Sequence, residues 1–376
     1  MKIGILCYPT FGGSGVLATE LGKMLAERGH KVHFISYSQP VRLNVFSENI
    51  FYHEVHVPDY PLFDYLPYEL ALTSKLVDVI RFEELDLLHV HYAIPHAYAA
   101  FMAKQILGGE NINIPVITTL HGTDITLVGR NPSYKPAVTF SINKSDYVTS
   151  VSESLKQDTL SFFNVDREIE VIPNFIDLSA NQGQADEQLR KRFAPNGERI
   201  IAHVSNFRKV KRVDDVLEIF RKVAAVQPSI LLMIGDGPER EELEQKCRDY
   251  KICEQVHFLG KTKAVTDLLK ISDLFLLPSA TESFGLAALE AMASRVPVIC
   301  SKIGGLPEVV DHGKSGFMAP VGEVDLMAQH ALEVLSTDEK LAYHKAEAYK
   351  TAEKFDLKRV LPAYINLYEK ALSCKV

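Results

Sequence analysis

Short runs rich in Val, Ile and Leu alternate with stretches of helical periodicity from the first residues onward, the signature of repeated strand-helix-strand units on a parallel sheet. A chain with this rhythm folds as α/β. Strands are expected at Lys2–Cys7, Lys31–Ser36, Phe51–Val57, Asp86–Val90, Pro115–Leu120, Tyr147–Ser150 and Glu168–Ile172, with helices such as Val16–Arg28 and Tyr68–Arg81 between most of them. The rhythm breaks after Pro173-Asn174-Phe175, and the Gln- and Asp-rich stretch Ser179–Arg190 lacks an apolar periodicity, as an interdomain crossing would. It then restarts. Strands are expected at Arg199–Val204, Ile230–Ile234, Gln255–Leu259, Asp273–Leu277 and Pro297–Cys300, and helices at Val213–Val226, Pro238–Tyr250 and Phe284–Ala293.

Two helices, roughly Thr337–Lys354 and Leu357–Leu372, close the sequence, and the last carries an apolar face of Val360, Leu361, Tyr364, Leu367 and Leu372 that needs a partner. The expected organisation is therefore two doubly wound domains, residues 1–175 and 176–355, with residues 356–376 returning to the first. A length of 376 residues fits that division. In open α/β sheets ligands bind beyond the carboxyl ends of the strands, so the chemistry is sought just after each strand. Two such sheets facing each other would make one cleft.

Composition narrows the partners. Lys and Arg number 41 against 48 Asp and Glu, a net charge of −7, so the overall field favours neither nucleic acid nor an acidic membrane surface. Any anionic ligand must be held by local positive charge. The five cysteines, Cys7, Cys247, Cys253, Cys300 and Cys374, are odd in number and form no CxxC pair, which points to a reducing cytoplasm rather than to a disulfide framework or structural zinc. At the N-terminus, glycines and Pro9 interrupt the short apolar run before a signal-peptide core or a membrane span forms. Nothing in the sequence opposes a homo-oligomer.

Three segments carry candidate chemistry. After the first strand, Phe11-Gly12-Gly13-Ser14-Gly15 opens a helix, and Gly13 to Ala18 even satisfies the dinucleotide fingerprint. A nicotinamide enzyme would also need an acidic residue after the second strand, where Ser36, Tyr37, Ser38 and Gln39 stand instead. What survives is a set of backbone N–H groups at a helix N-terminus, able to receive an anion, or simply a tight strand-to-helix turn. After the first strand of the second domain, Arg208, Lys209, Lys211 and Arg212 follow Ser205-Asn206-Phe207. These cations either neutralise a diphosphate leaving group or form a solvated basic loop. Further on, Glu282 and Glu290 stand eight residues apart around Ser283-Phe284-Gly285-Leu286. Ser279 and Glu282 read equally as a capping box, but a glycine at position 285 suggests close backbone approach to a ligand. With a helix beginning near Phe284, Glu290 would lie about 9 Å further along its axis, so that one carboxylate could meet the sugar and the other the nucleoside of a nucleotide-sugar.

Taken with Gly235-Asp236-Gly237-Pro238, Phe258-Leu259-Gly260 and Pro173-Asn174, the Glu282 to Glu290 segment resembles the retaining GT-B glycosyltransferases of family 4, over nearly the whole chain. That resemblance implies two Rossmann-like domains facing across a cleft, a nucleotide-sugar held by the C-terminal domain, an acceptor held by the N-terminal one, and a final helix crossing back. It implies Glu282 on the sugar hydroxyls, Glu290 on the ribose, Lys211 on the diphosphate, and donor contacts from the backbone of Ser283, Phe284, Gly285 and Leu286. The chain departs from the family's Gly-Arg-Leu pattern by placing Asn206 at the arginine position, leaving Arg208 or Arg212 to supply the charge. His121, after a strand and before a Gly turn, would touch the transferred sugar, the other reading being a turn histidine bonded to backbone.

The segments Ser205–Arg212, His89–His96 and Thr118–Asp124 are similar to a branch of the family that joins N-acetylglucosamine to L-malate in the assembly of bacillithiol. That similarity implies UDP-N-acetylglucosamine as donor and L-malate as acceptor; another sugar, or an inositol-type or lipid acceptor, is the alternative. Acceptor contacts are expected from Gly13, Ser14, Gly15, Arg42, Tyr92, Thr119 and Arg130, with Tyr92 reading equally as a packed aromatic and Arg42 as a solvated loop residue. His89 and His91 would share one face of a strand, but no nearby acidic or Cys set completes a metal site, so His89 and His96 are read as structural. No Asp-x-Asp pair stands at a strand end, so neither a metal nor another cofactor is expected in the reaction. Family members of this kind react by front-face attack, the leaving phosphate taking the acceptor proton, which requires no protein nucleophile. A non-catalytic nucleotide-sugar sensor could dispense with His121 and Glu282; both are present.

Overall fold

A computed structural model describes residues 1–10, 13–44, 46–57, 67–179, 181 and 183–373. Phe11 and Gly12 of the glycine turn, and Cys374, lie outside the described residues. The chain divides into two compact units, one formed by Met1–Asn174 with the chain from Leu357 on, the other by Phe175–Asp356.

The first unit is built on strands β1 (Lys2–Leu6), β2 (Lys31–Ser36), β3 (Ile50–Glu54), β4 (Leu87–His91), β5 (Val116–Leu120), β6 (Tyr147–Ser150) and β7 (Ile169–Val171). All pair in parallel, in the order β3-β2-β1-β4-β5-β6-β7. The second unit repeats the scheme with β8 (Arg199–Ser205), β9 (Ser229–Gly235), β10 (Val256–Gly260), β11 (Leu274–Leu277), β12 (Val298–Ser301) and β13 (Gly316–Ala319), in the order β10-β9-β8-β11-β12-β13. In both sheets the first strand is central and the chain order reverses beside it, between β1 and β4 and between β8 and β11. Those reversals are the topological switch points of a Rossmann-like sheet, where a crevice opens at the strands' carboxyl ends. The two parallel sheets bear out the expected GT-B class.

The elements form for ordinary reasons. β4 and β5 are buried along their whole length, as strands covered on both faces must be. Helix Val213–Ala224 buries Val213, Val216, Leu217, Phe220 and Val223 along one face, and Asp214 and Asp215 in its first turn and Arg221 and Lys222 in its last complement the helix dipole. The closing helix, Leu357–Ser373, belongs to the first unit, as its apolar face requires: Tyr364 and Tyr368 are buried there, and the Tyr368 hydroxyl lies 2.7 Å from His89 Nδ1.

Several expectations need correction. Ser179–Arg190 is not wholly irregular, because Asp186 caps a short helix, Glu187–Phe193, by accepting from the N–H groups of Gln188 and Leu189. Its Leu189 and Phe193 pack against the core around Ile200 and Ile271. The third strand ends at Glu54, three residues short of the expected Val57. Strand β13 and helix Val324–Leu335 were not anticipated, although Met327, Ala328, Ala331, Val334 and Leu335 of that helix form a buried stripe. Among the described residues, no helix is long and apolar enough to cross a membrane.

Candidate active site

In the second unit, the loops after β8 and β11 meet at the switch point. The Ala280 N–H donates to the Val210 carbonyl at 2.8 Å, joining the two loops by their backbones. Beside that bond, Lys211 Nζ lies 2.6 Å from Glu282 Oε1, and the Ser279 hydroxyl donates to the same oxygen at 2.9 Å. A carboxylate and an ammonium are thus held together at the mouth of a parallel sheet, both largely withdrawn from water. Ser279 serves as a donor to Glu282 rather than as a helix cap. The helix in fact begins at Leu286, two residues later than expected, with Gly285 as its N-cap and no side-chain cap.

Gly285 is required there. Its φ of 98° lies in the left-handed region, and a Cβ would collide with the Leu306 side chain. This packing reason accounts for the glycine independently of any ligand. The later start places half-buried Glu290 one turn into the helix, about 6 Å along the axis rather than about 9 Å. Phe284 is buried and its ring meets Phe355 edge-on at 5.6 Å, so only its backbone faces the loop. Ser283 and Leu286 are half-buried beside it. Of the basic loop, Asn206 and Arg208 are exposed, while Arg212 is engaged by Asp215 at 2.6 Å. Among the described residues neither Arg208 nor the equally exposed Lys209 forms an ion pair, whereas Arg212 does.

The first unit has a bridge of its own across the β1–β4 switch. The Ser14 and Tyr92 hydroxyls lie 2.7 Å apart, linking the start of helix Ser14–Glu27 to the residue after β4. Tyr92 adopts a φ of 84° and its ring stands 5.1 Å from that of His121. Burial raises the phenol's pKa, so Tyr92 stays neutral. Gly15 is demanded by the backbone of Tyr8 and Thr10, which a Cβ would strike, so its identity follows from the strand-to-helix turn.

His121 Nε2 is hydrogen-bonded to His91 Nδ1 at 2.8 Å. Burial, with the neighbouring His91 and His96 imidazoles, pushes its pKa well down. The ring therefore works as a neutral hydrogen-bonding group near pH 7. Asp124, not anticipated in a role, organises the loop behind it. Its carboxylate accepts from the N–H groups of Ala93, His121 and Gly122 at 3.0, 3.3 and 3.0 Å, stapling the segment after β5 to that after β4. Burial raises the Asp124 pKa while these N–H groups oppose the shift. His91 was likewise missed as the partner of His121, although the parallel register that sets His91 opposite Thr119 makes the contact legible.

The remaining acceptor-side residues divide. Thr119 is fully buried, its hydroxyl 2.7 Å from both His89 Nε2 and the Thr149 hydroxyl, and it has no surface to present to a ligand. That expectation is corrected. His89 is equally enclosed, and His96 Nδ1 donates to the His91 carbonyl. Arg42 is exposed, 3.9 Å from Glu20, and Arg130 is exposed with its guanidinium 3.9 Å over the Phe162 ring.

Comparison with known proteins accords with this geometry. The family model described as Glycosyltransferase Family 4 matches residues 11–180, and the one described as Glycosyl transferases group 1 matches residues 184–351. The N-acetyl-alpha-D-glucosaminyl L-malate synthase of Bacillus anthracis is 46% identical over 371 residues, covering 98% of this chain and 96% of its own. Among solved structures, sucrose-phosphate synthase from Thermosynechococcus elongatus is similar with a TM-score of 0.82 at 18% identity, over the whole of both chains. Anabaena Alr3699/HepE in complex with UDP and glucose is similar with a TM-score of 0.81 at 20% identity, over 98% of this chain and 99% of its own. At those identities the structural likeness speaks for the fold.

Proposed function

The chain belongs to the family 4, group 1 glycosyltransferases, and from that membership we propose that it transfers N-acetylglucosamine from UDP-N-acetylglucosamine to the hydroxyl of L-malate with retention at the anomeric carbon. The observation that carries the donor half is the Lys211–Glu282–Ser279 cluster at the β8–β11 switch point, beside a helix N-terminus. Lys211 is assigned to the diphosphate, assisted by the N–H groups at the start of helix Leu286–Ala293 and by Arg208. Glu282 is assigned to the sugar hydroxyls and Glu290 to the ribose. The acceptor rests on the name of the Bacillus anthracis relative. On this reading the malate hydroxyl oxygen bonds to the anomeric carbon on the face from which UDP departs, and its proton passes to the leaving phosphate oxygen. His121, neutral and held by His91, hydrogen-bonds the transferred sugar. The free thiols Cys7, Cys247, Cys253 and Cys300 support placing the reaction in a reducing cytoplasm.

Incubating the purified protein with UDP-N-acetylglucosamine and a panel of hydroxy acids, inositols and sugars tests the proposal. Release of UDP with α-linked N-acetylglucosaminyl malate is expected; release with a different acceptor alone would reject malate.

Malate's two carboxylates need positive or N–H partners, because leaving them unpaired would cost several kcal/mol. Gly13 to Gly15 at the helix start, the Ser14 hydroxyl and Arg42 are assigned to them, with Arg130 as second choice. Arg42→Ala is expected to raise the KM for malate at least tenfold, about 1.4 kcal/mol, with little change in the KM for the donor. An unchanged malate KM in Arg42→Ala beside a raised one in Arg130→Ala would transfer the role. Turnover is also expected to survive exhaustive chelation, since Lys211 and Arg208 offer the positive charge that Mg²⁺ supplies elsewhere. Loss of activity with chelator and its return with a divalent ion would contradict this.

A further inference from the structure

A second group of ligating side chains lies elsewhere on the seven-stranded sheet. His33 on β2, His53 on β3 and Glu83, the last residue of helix Tyr68–Glu83, each bring one nitrogen or carboxylate oxygen within 4.8 Å of the others. The register explains their meeting. His53 pairs with Ile35, and Ile35 shares a sheet face with His33 two residues before it, so both imidazoles stand on one face. Helix Tyr68–Glu83 packs on that face through Leu72, Leu76 and Ile80 beside Ile35, and its end delivers Glu83. The helix leads into the amino end of β4, so Glu83 marks the amino rim of the sheet. Ser14, Tyr92 and His121 stand at the opposite rim.

His33 is buried, its Nδ1 is 3.0 Å from His53 Nε2, and its Nε2 has no hydrogen-bond partner. The nitrogen that faces His53, and that an ion would use, is Nδ1; the unpartnered Nε2 lies on the other edge of the ring and takes no part in the set. The ring is fixed in place by Phe51, stacked on it at 4.6 Å. Two ligand nitrogens on a tetrahedral zinc ion, with bonds of about 2.0 Å, stand about 3.3 Å apart. The imidazole pair is close to that spacing already, and a carboxylate oxygen of half-buried Glu83 lies within 4.8 Å of both rings' ligand atoms. Two imidazoles and one carboxylate suit a borderline divalent ion, whereas magnesium and calcium favour all-oxygen sites.

We infer that His33, His53 and Glu83 bind one divalent transition ion of the zinc class, with water in the fourth position, tying edge strand β3 and the end of helix Tyr68–Glu83 to β2. The ion would brace the face of the sheet between β2 and β3, with His53 one residue before the end of β3. Its binding is read without turnover and does not depend on the assignment of donor or acceptor.

Protein stripped by a chelator and dialysed is titrated with Co²⁺, then with Zn²⁺, following the visible absorption of tetrahedral cobalt, the metal content after gel filtration and the melting temperature. One equivalent per chain is expected, with Zn²⁺ displacing Co²⁺ and raising the Tm. His53→Gln and Glu83→Gln replace half-buried side chains and spare buried His33; each should weaken uptake at least tenfold while the metal-free Tm stays near that of the parent. Absence of stoichiometric uptake, or uptake equally tight in both variants, would overturn the inference.

Discussion

Glu282→Gln is expected to lower turnover by about a hundredfold or more while UDP binds as tightly as before, or slightly more tightly. The asymmetry comes from the ion pair. In the free protein Lys211 is held 2.6 Å from Glu282 Oε1, so an incoming diphosphate must compete with that carboxylate for the ammonium. Glutamine keeps an acceptor for the Ser279 hydroxyl and removes the competing charge. UDP, which lacks the transferred sugar assigned to Glu282, then loses nothing, whereas transfer loses the charged acceptor assigned to that sugar's hydroxyls. Calorimetry with UDP and steady-state kinetics with UDP-N-acetylglucosamine separate the two. Wild-type turnover in Glu282→Gln would leave Glu282 with only the role of anchoring its loop.

Lys211→Ala has the opposite profile. UDP should weaken by roughly ten- to a hundredfold, about 1.5–3 kcal/mol for a lost charged hydrogen bond, while uridine is nearly unaffected. Part of the loss has a second origin, because Glu282 would then face the diphosphate without its cation. The double variant Lys211→Ala, Glu282→Gln should recover some UDP affinity relative to Lys211→Ala alone, a coupling that a double-mutant cycle reads directly. Equal losses for UDP and uridine would remove Lys211 from the diphosphate.

The order of strands and helices was legible because the inner strands, such as β4, β5, β11 and β12, are buried along their whole length and therefore read as compact, mostly apolar runs. β13, Gly316–Ala319, escaped because four residues containing a glycine carry too little pattern. The early part of the chain misled in another way: Gly15 reads as a ligand loop, yet it is the Tyr8 and Thr10 backbone that excludes a side chain. Gly285 likewise answers to Leu306, a contact that sequence spacing does not reveal. Lys211, Ser279 and Glu282 were individually conspicuous, but their sharing of one oxygen depends on a strand reversal that joins segments far apart in sequence. Thr119 erred for a simpler reason: a residue one place before the end of a strand can point into the interior as easily as toward the rim, and here its hydroxyl closes the His89–Thr149 network.

The bond between Tyr368 and His89 also constrains how the protein can be made. β4 and its buried imidazole are synthesised early, whereas the tyrosine that completes them emerges only after the entire Phe175–Asp356 unit has left the ribosome. Until then the nascent first unit presents an uncovered apolar seam and a histidine lacking its Tyr368 partner, the kind of surface that recruits chaperones. The second unit is contiguous in sequence and carries no such debt to later residues. It is the half suited to folding as it appears, with the first sealed last by a helix that arrives from the far end of the chain.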